Sequence, residues 1–238
     1  MKLKRPIIAL DFNDAQRALD FLQNFPQTEK LFVKIGMELY YSAGQDLVKA
    51  VLAQGHDVFL DLKCHDIPHT VERAMYVLGQ LGVSLTTTHA NGGSEMLKAA
   101  KYGLVEGALK AGKKEPKLLA ITQLTSTDER MVKEEQLITV GLDKSVENYA
   151  KLAQNAGLDG VVCSGWEANK LREVTGPDFL RVTPGIRLKT DSLGDQKRVM
   201  TPDMAAQNGS SAIVVGRPIT QAKEPVKAYQ EIFELWNQ

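Results

Sequence analysis

The sequence predicts a (β/α)8 barrel built as a single domain by residues 1–238. Short segments rich in Ile, Val and Leu alternate with longer amphipathic ones, the pattern of parallel strands joined through crossover helices. Eight strand segments can be counted, and no linker, low-complexity tract or break in composition divides them. The chain of 238 residues is also close to the roughly 250 that one such barrel needs. Strand count alone leaves a doubly wound open sheet as the alternative.

In chain order, a strand over 7–12 is followed by a helix over 14–25, and a strand over 31–36 by a helix over 43–54. A strand over 58–63 precedes a helix over 70–81, and a strand over 84–90 precedes a helix over 94–111. The fifth strand covers 117–124 and leads, after a long connection, to a helix over 146–156. Strands over 160–164, 180–185 and 212–217 complete the set, with a last helix over 225–236. The connections 125–143 and 187–201 exceed the roughly two to six residues usual between strand and helix. Both follow strand C-termini, the catalytic face of a barrel, and the second, with Gly194 and several polar residues, suits a lid. Simple surface variation is the alternative for either loop.

Composition narrows the function. Lysine plus arginine equals aspartate plus glutamate at 29 each, so no basic excess exists to hold nucleic acid or an anionic membrane. A small-molecule partner is the expectation. The two cysteines, Cys64 and Cys163, are too few for a disulfide framework and fit a reducing cytosol. The basic start from Lys2 to Arg5 is followed by an apolar stretch that ends at Asp11, too short for a signal sequence. No apolar run approaches the roughly 20 residues of a membrane span. A soluble cytoplasmic protein is expected.

The segment from Asp61 to Val71, Asp-Leu-Lys-Cys-His-Asp-Ile-Pro-His-Thr-Val, carries the densest chemistry. Asp61 and Lys63 are two apart on a strand, so their side chains leave one face. Asp66 adds a second carboxylate to what reads as a buried charged trio. Burying such groups costs several kcal/mol per ion unless each is paired, and the usual reason to keep them is chemistry. Other strand ends add Asp11, Lys34, Thr125 and Ser126, the run Pro184-Gly185-Ile186-Arg187, and Gly216-Arg217. In a barrel all converge on one mouth.

Asp11, Asp61 and Asp66 against Lys34 and Lys63 leave one net negative charge, which favours protonated ammonium groups. That argues for Lys63 as a proton donor and against a Schiff-base nucleophile, which needs a lowered pKa. Such an array could stabilise and then protonate a carbanion. The eighth strand ends in Gly216-Arg217, where a backbone N–H can approach closely and a guanidinium can pair with a phosphate. Phosphate sites of this fold commonly follow strands seven and eight.

Two other patterns mislead. The run from Gly107 to Lys114 nearly matches a nucleotide P-loop, but Lys114 replaces the Ser/Thr that holds magnesium and the segment precedes a strand. His65 and His69 have a zinc-like spacing, yet Pro68 lies between them and no third ligand is evident, so no metal site is read.

These residues resemble the orotidine 5′-phosphate decarboxylase family. The resemblance runs through Ala9-Leu10-Asp11, Phe32 to Gly36, Asp61 to Pro68, Gln123 to Thr127, Thr183 to Arg187 and Val215-Gly216-Arg217. It implies a cofactor-free homodimeric barrel that converts orotidine 5′-monophosphate to UMP and CO2. Lys34, Asp61, Lys63 and Asp66 match the family's charged network, with Asp66, Ile67 and Thr70 reaching into the neighbouring subunit's site. Lys63 is then the proton donor to C6, Asp61 lies against the substrate carboxylate, and Asp11 and Lys34 contact the ribose. Ser126 matches the pyrimidine-reading segment, and Thr125 and Pro184 line the site. Gln196, Gly216 and Arg217 match the phosphate grip, with Arg187 at the base of its closing loop. Cys64 departs from the pattern, which has a larger apolar residue there. Its side chain alternates away from Asp61 and Lys63, so altered packing and retained chemistry are expected.

Metal-dependent sugar-phosphate decarboxylases of the same wider group share the Asp-x-Lys-x-x-Asp pattern but carry an acidic residue where Lys34 stands. A non-catalytic phosphate-ligand sensor would need a damaged network, and all five ionisable residues are intact.

Overall fold

In the computed structural model, which describes residues 2–188 and 200–238, eight parallel strands close into a barrel in the order β1-β2-β3-β4-β5-β6-β7-β8. The strands are β1 (Ile7–Ala9), β2 (Phe32–Gly36), β3 (Asp57–Cys64), β4 (Leu85–His89), β5 (Lys117–Ile121), β6 (Gly160–Val162), β7 (Leu180–Thr183) and β8 (Ala212–Val215). Pairing of Ile7 with Val214 and Ile8 with Val215 closes the ring and rules out the open sheet.

The helices are α1 (Ala15–Leu22), α2 (Met37–Ala53), α3 (Pro68–Leu81), α4 (Gly93–Lys110), α5 (Leu142–Asn155), α6 (Ala168–Thr175), α7 (Pro202–Gln207), α8 (Arg217–Thr220) and α9 (Pro225–Asn237). Asp14 caps α1 by accepting the Arg17 N–H at 2.9 Å. Prolines open α3, α7, α8 and α9, where a missing N–H costs nothing. Helix α2 starts at Met37, earlier than the sequence pattern indicates, because Gly44 interrupts it with φ 66°. The short helices α6, α7 and α8 were not anticipated. Helix α4 lies close against α3, since a Cβ on Gly103 or Gly107 would meet the carbonyl oxygens of Glu72 at 2.2 Å and Tyr76 at 2.0 Å.

Strand alternation divides the apolar residues into two layers. Ile8, Leu10, Val33, Ile35, Ile213 and Val215 point outward and pack under the helices. Ile7, Ala9, Phe32, Phe59, Leu85, Leu119, Val182 and Val214 fill the barrel interior. Two residues beyond Ala9, Phe32, Phe59, Leu85, Val182 and Val214, nearer the C-terminal mouth, stand Asp11, Lys34, Asp61, Thr87, Pro184 and Gly216. The apolar plug therefore ends where the polar residues begin. Among the described residues, no helix is long and apolar enough to cross a membrane.

Candidate active site

The barrel mouth opens into a cavity of about 540 Å³, a volume suited to a small-molecule ligand. Its floor is a chain of alternating charges. Lys34 Nζ lies 3.1 Å from Asp11 Oδ1 and 3.9 Å from Asp61 Oδ2, and Lys63 Nζ lies 2.7 Å from that same Asp61 oxygen. Asp61 is buried, and the two lysine side chains are largely so. Removal of these charges from water is offset by their mutual pairing.

Lys63 reaches this position by a route that simple alternation does not describe. Its φ is 52°, a left-handed conformation uncommon for a residue with a side chain. Between the pairs Leu60↔Thr86 and Cys64↔Thr88, β3 advances four residues while β4 advances two, so the third strand bulges. Both side chains still face the cavity, as expected, but the bulge sets where the ammonium points. Leu62 and Cys64 turn to the outer layer, and burial pushes the Cys64 thiol above its usual pKa.

The β4 threonines stitch the bulge. Thr86 donates to the Leu60 carbonyl at 2.9 Å and Thr88 to the Cys64 carbonyl at 2.7 Å. Thr87 accepts the Lys63 backbone N–H at 2.9 Å and donates to Asp61 Oδ1 at 2.8 Å. Thr87 was missed at the level of sequence. Its position two residues past inward-facing Leu85 was the available signal.

Thr125, Pro184, Arg187, Gly216 and Arg217 line the same cavity. Four cationic side chains, Lys34, Lys63, Arg187 and Arg217, face two carboxylates, Asp11 and Asp61, so the cavity favours an anion. Buried Arg187 donates to the Ile186 carbonyl at 2.8 Å. Its backbone N–H donates to the Met200 carbonyl at 3.1 Å, pairing the two stems of the long connection after β7. Gln196 and Gly194 lie outside the described residues.

Alignment of the whole chain decides the lineage. A family model described as "Orotidine 5'-phosphate decarboxylase / HUMPS family" matches residues 4–232. The chain belongs to this decarboxylase family. The orotidine 5'-phosphate decarboxylase of Ligilactobacillus salivarius is 60% identical over 238 residues, covering 100% of both chains. That of Lactococcus lactis subsp. cremoris is 54% identical over the same 238 residues, again with 100% of both covered. The crystal structure of orotidine 5'-phosphate decarboxylase from Lactobacillus acidophilus superposes with a TM-score of 0.89 at 45% identity, covering 98% of this chain and 99% of that one.

Some expected family residues lie away from the cavity. Asp66, Ile67 and Thr70 are exposed at the start of α3 and do not line it, so the trio with Asp61 and Lys63 is not buried as a unit in one chain. The sharp exit from the bulge into α3 carries Asp66 outward, where its carboxylate accepts the Ile67 N–H at 2.7 Å. Ser126 is exposed beside Thr125 and also stands outside the lining. Gln123, Cys163 and Gln221, not read as site residues from the sequence, do line it.

Proposed function

We propose that this decarboxylase-family chain converts orotidine 5′-monophosphate to UMP and CO2 as a step of pyrimidine biosynthesis. The observation that carries the reading is the Asp11–Lys34–Asp61–Lys63 chain on the floor of a cavity that Gly216 and Arg217 also line. Arg217, Gly216 and Gln196 grip the phosphate, Asp11 and Lys34 hold the ribose, and Thr125 and Ser126 read the pyrimidine, with Pro184 and Arg187 completing the wall. The bond from C6 to the carboxylate breaks, its electron pair stays on C6, and CO2 leaves from beside Asp61. The Lys63 ammonium stabilises the carbanion and then gives it a proton. Phosphate binding far from C6 supplies energy that organises the charged floor. Protein groups suffice for every step, so no cofactor is needed.

We further propose a homodimer in which Asp66, Ile67 and Thr70 complete the partner's site. Their exposure, with the apolar Ile67 at 66% and Tyr41 of α2 at 73%, supports this reading. Two free cysteines fit a cytoplasmic setting.

The metal-dependent sugar-phosphate reading is disfavoured by Lys34. Its ammonium stands between Asp11 and Asp61, where it would repel a divalent cation. The test is a spectrophotometric assay of orotidine monophosphate loss with and without EDTA. Chelator-resistant turnover is expected. No turnover, or metal-dependent turnover of a keto-sugar phosphate instead, would overturn the reading.

A further inference from the structure

The connection after β5 is organised by its own side chains. Leu124 to Thr127 form a tight turn, closed by the Thr127 N–H donating to the Leu124 carbonyl at 2.9 Å, which puts Thr125 and Ser126 at its two central positions. The chain then makes the wide helical turn Met131–Glu135 and enters α5 at Leu142. Asp128 accepts the Met131 N–H at 3.0 Å, and both Glu129 carboxylate oxygens lie 3.1 Å from the Leu142 N–H. These bonds stiffen the excursion within itself.

A different contact ties it to the strand end that carries the turn. Gln123, buried and immediately before the turn, donates from Nε2 to Gln136 Oε1 at 2.9 Å and to Ser145 Oγ at 3.0 Å. Gln136 Nε2 donates back to Gln123 Oε1 at 3.2 Å. Gln136 ends the wide turn and is followed by Leu137 in a left-handed conformation, φ 57°, which persists only where surrounding contacts hold it.

We propose that Gln123, acting through Gln136 and Ser145, is a positioning residue that sets the height and angle of Thr125 and Ser126 over the pyrimidine. The inference rests on the proposed substrate. Both amide N–H groups of Gln123 are engaged by the loop and by α5, so this side chain orients the turn and leaves base contact to the residues after it. Reciprocal amide bonds fix orientation in both senses, whereas an apolar side chain at this point would fill space without setting an angle.

Gln136→Ala tests this, because Gln136 is exposed and outside the cavity, so the variant should fold with every cavity side chain unsubstituted. The expected result is a rise in KM for orotidine monophosphate of about three- to tenfold, the scale of a part-buried hydrogen bond, with kcat within about twofold and Tm nearly constant. Gln136→Glu keeps the acceptor for Gln123 Nε2 and loses the return donor, so its KM should fall between the two. Ser126→Ala and Gln136→Ala should combine less than additively in KM if both act through the turn. An unchanged KM, or additive effects, in variants of an active wild-type protein overturns the positioning role alone. A wild-type protein inactive on orotidine monophosphate overturns the substrate reading and this inference together.

Discussion

Thr87 Oγ1 donates to Asp61 Oδ1 across 2.8 Å, and the same oxygen accepts the Lys63 backbone N–H at 2.9 Å. One hydroxyl thus holds both the carboxylate and the backbone of the residue assigned as proton donor. Thr87→Val keeps the shape and removes both bonds, leaving a partly buried N–H without its acceptor. The bulge should relax at a cost of about 1–3 kcal/mol, and kcat should fall about ten- to hundredfold with a smaller change in KM. Steady-state kinetics beside a thermal melt decide it. A stable variant with wild-type kcat would show that the bulge keeps its geometry without the hydroxyl.

Much of this site could be read before the structure. The eight strands stand out because each is a short apolar run, and their charged ends converge because a barrel gives every strand the same polarity. Lys63 shows where that reasoning stops. Alternation predicts its face, but its left-handed φ arises from how β3 pairs with β4, which is tertiary information. Thr87 reads as one of three strand-favouring threonines until Leu85 is known to point inward. Helices α7 and α8 span 6 and 4 residues, too few turns for a periodic signal. The exposure of Asp66 depends on the path from the bulge into α3, which no spacing rule encodes.

Lys63 and Asp66 allow the shared-site proposal to be separated from the chemistry. Lys63→Ala should lower kcat by at least about 10²-fold while the protein stays folded. Asp66→Ala should also be impaired. In a mixed dimer of the two variants, one site carries both substitutions and the other neither. Co-refolding equal amounts should therefore restore about a quarter of wild-type activity if subunits pair at random. No recovery, with mixed dimers demonstrated by mass, would place Asp66 in its own chain's site.

Arg217 stands at the start of α8 beside Gly216 and lines the same cavity as the charged floor. A guanidinium bound to a phosphate contributes mainly to substrate affinity, because the phosphate is remote from the reacting carbon. Arg217→Ala should raise KM about ten- to hundredfold. An unchanged KM would remove the arginine from the phosphate assignment.

His56 lies at the opposite end of the barrel and gives a pH dependence unconnected with catalysis. The imidazole is buried, and its Nδ1 accepts the Leu31 N–H at 3.2 Å, a bond that requires that nitrogen unprotonated. Burial pushes its pKa below the ordinary 6.5, with Lys30 and Arg5 acting in the same direction and Asp57 opposing them. The unfolded chain therefore binds more protons than the folded one below about pH 6.5, and stability is lost as pH falls through that value. His89 shares the direction, through burial, then His65 and Lys63, against Asp61. The melting temperature should drop between about pH 7 and about pH 5. His56→Gln supplies an amide oxygen that accepts the same N–H at either pH, so its drop should be smaller, with the His89 share remaining. Melts of both proteins at the two pH values decide the point, and equal drops would show that His56 contributes nothing to the acid sensitivity.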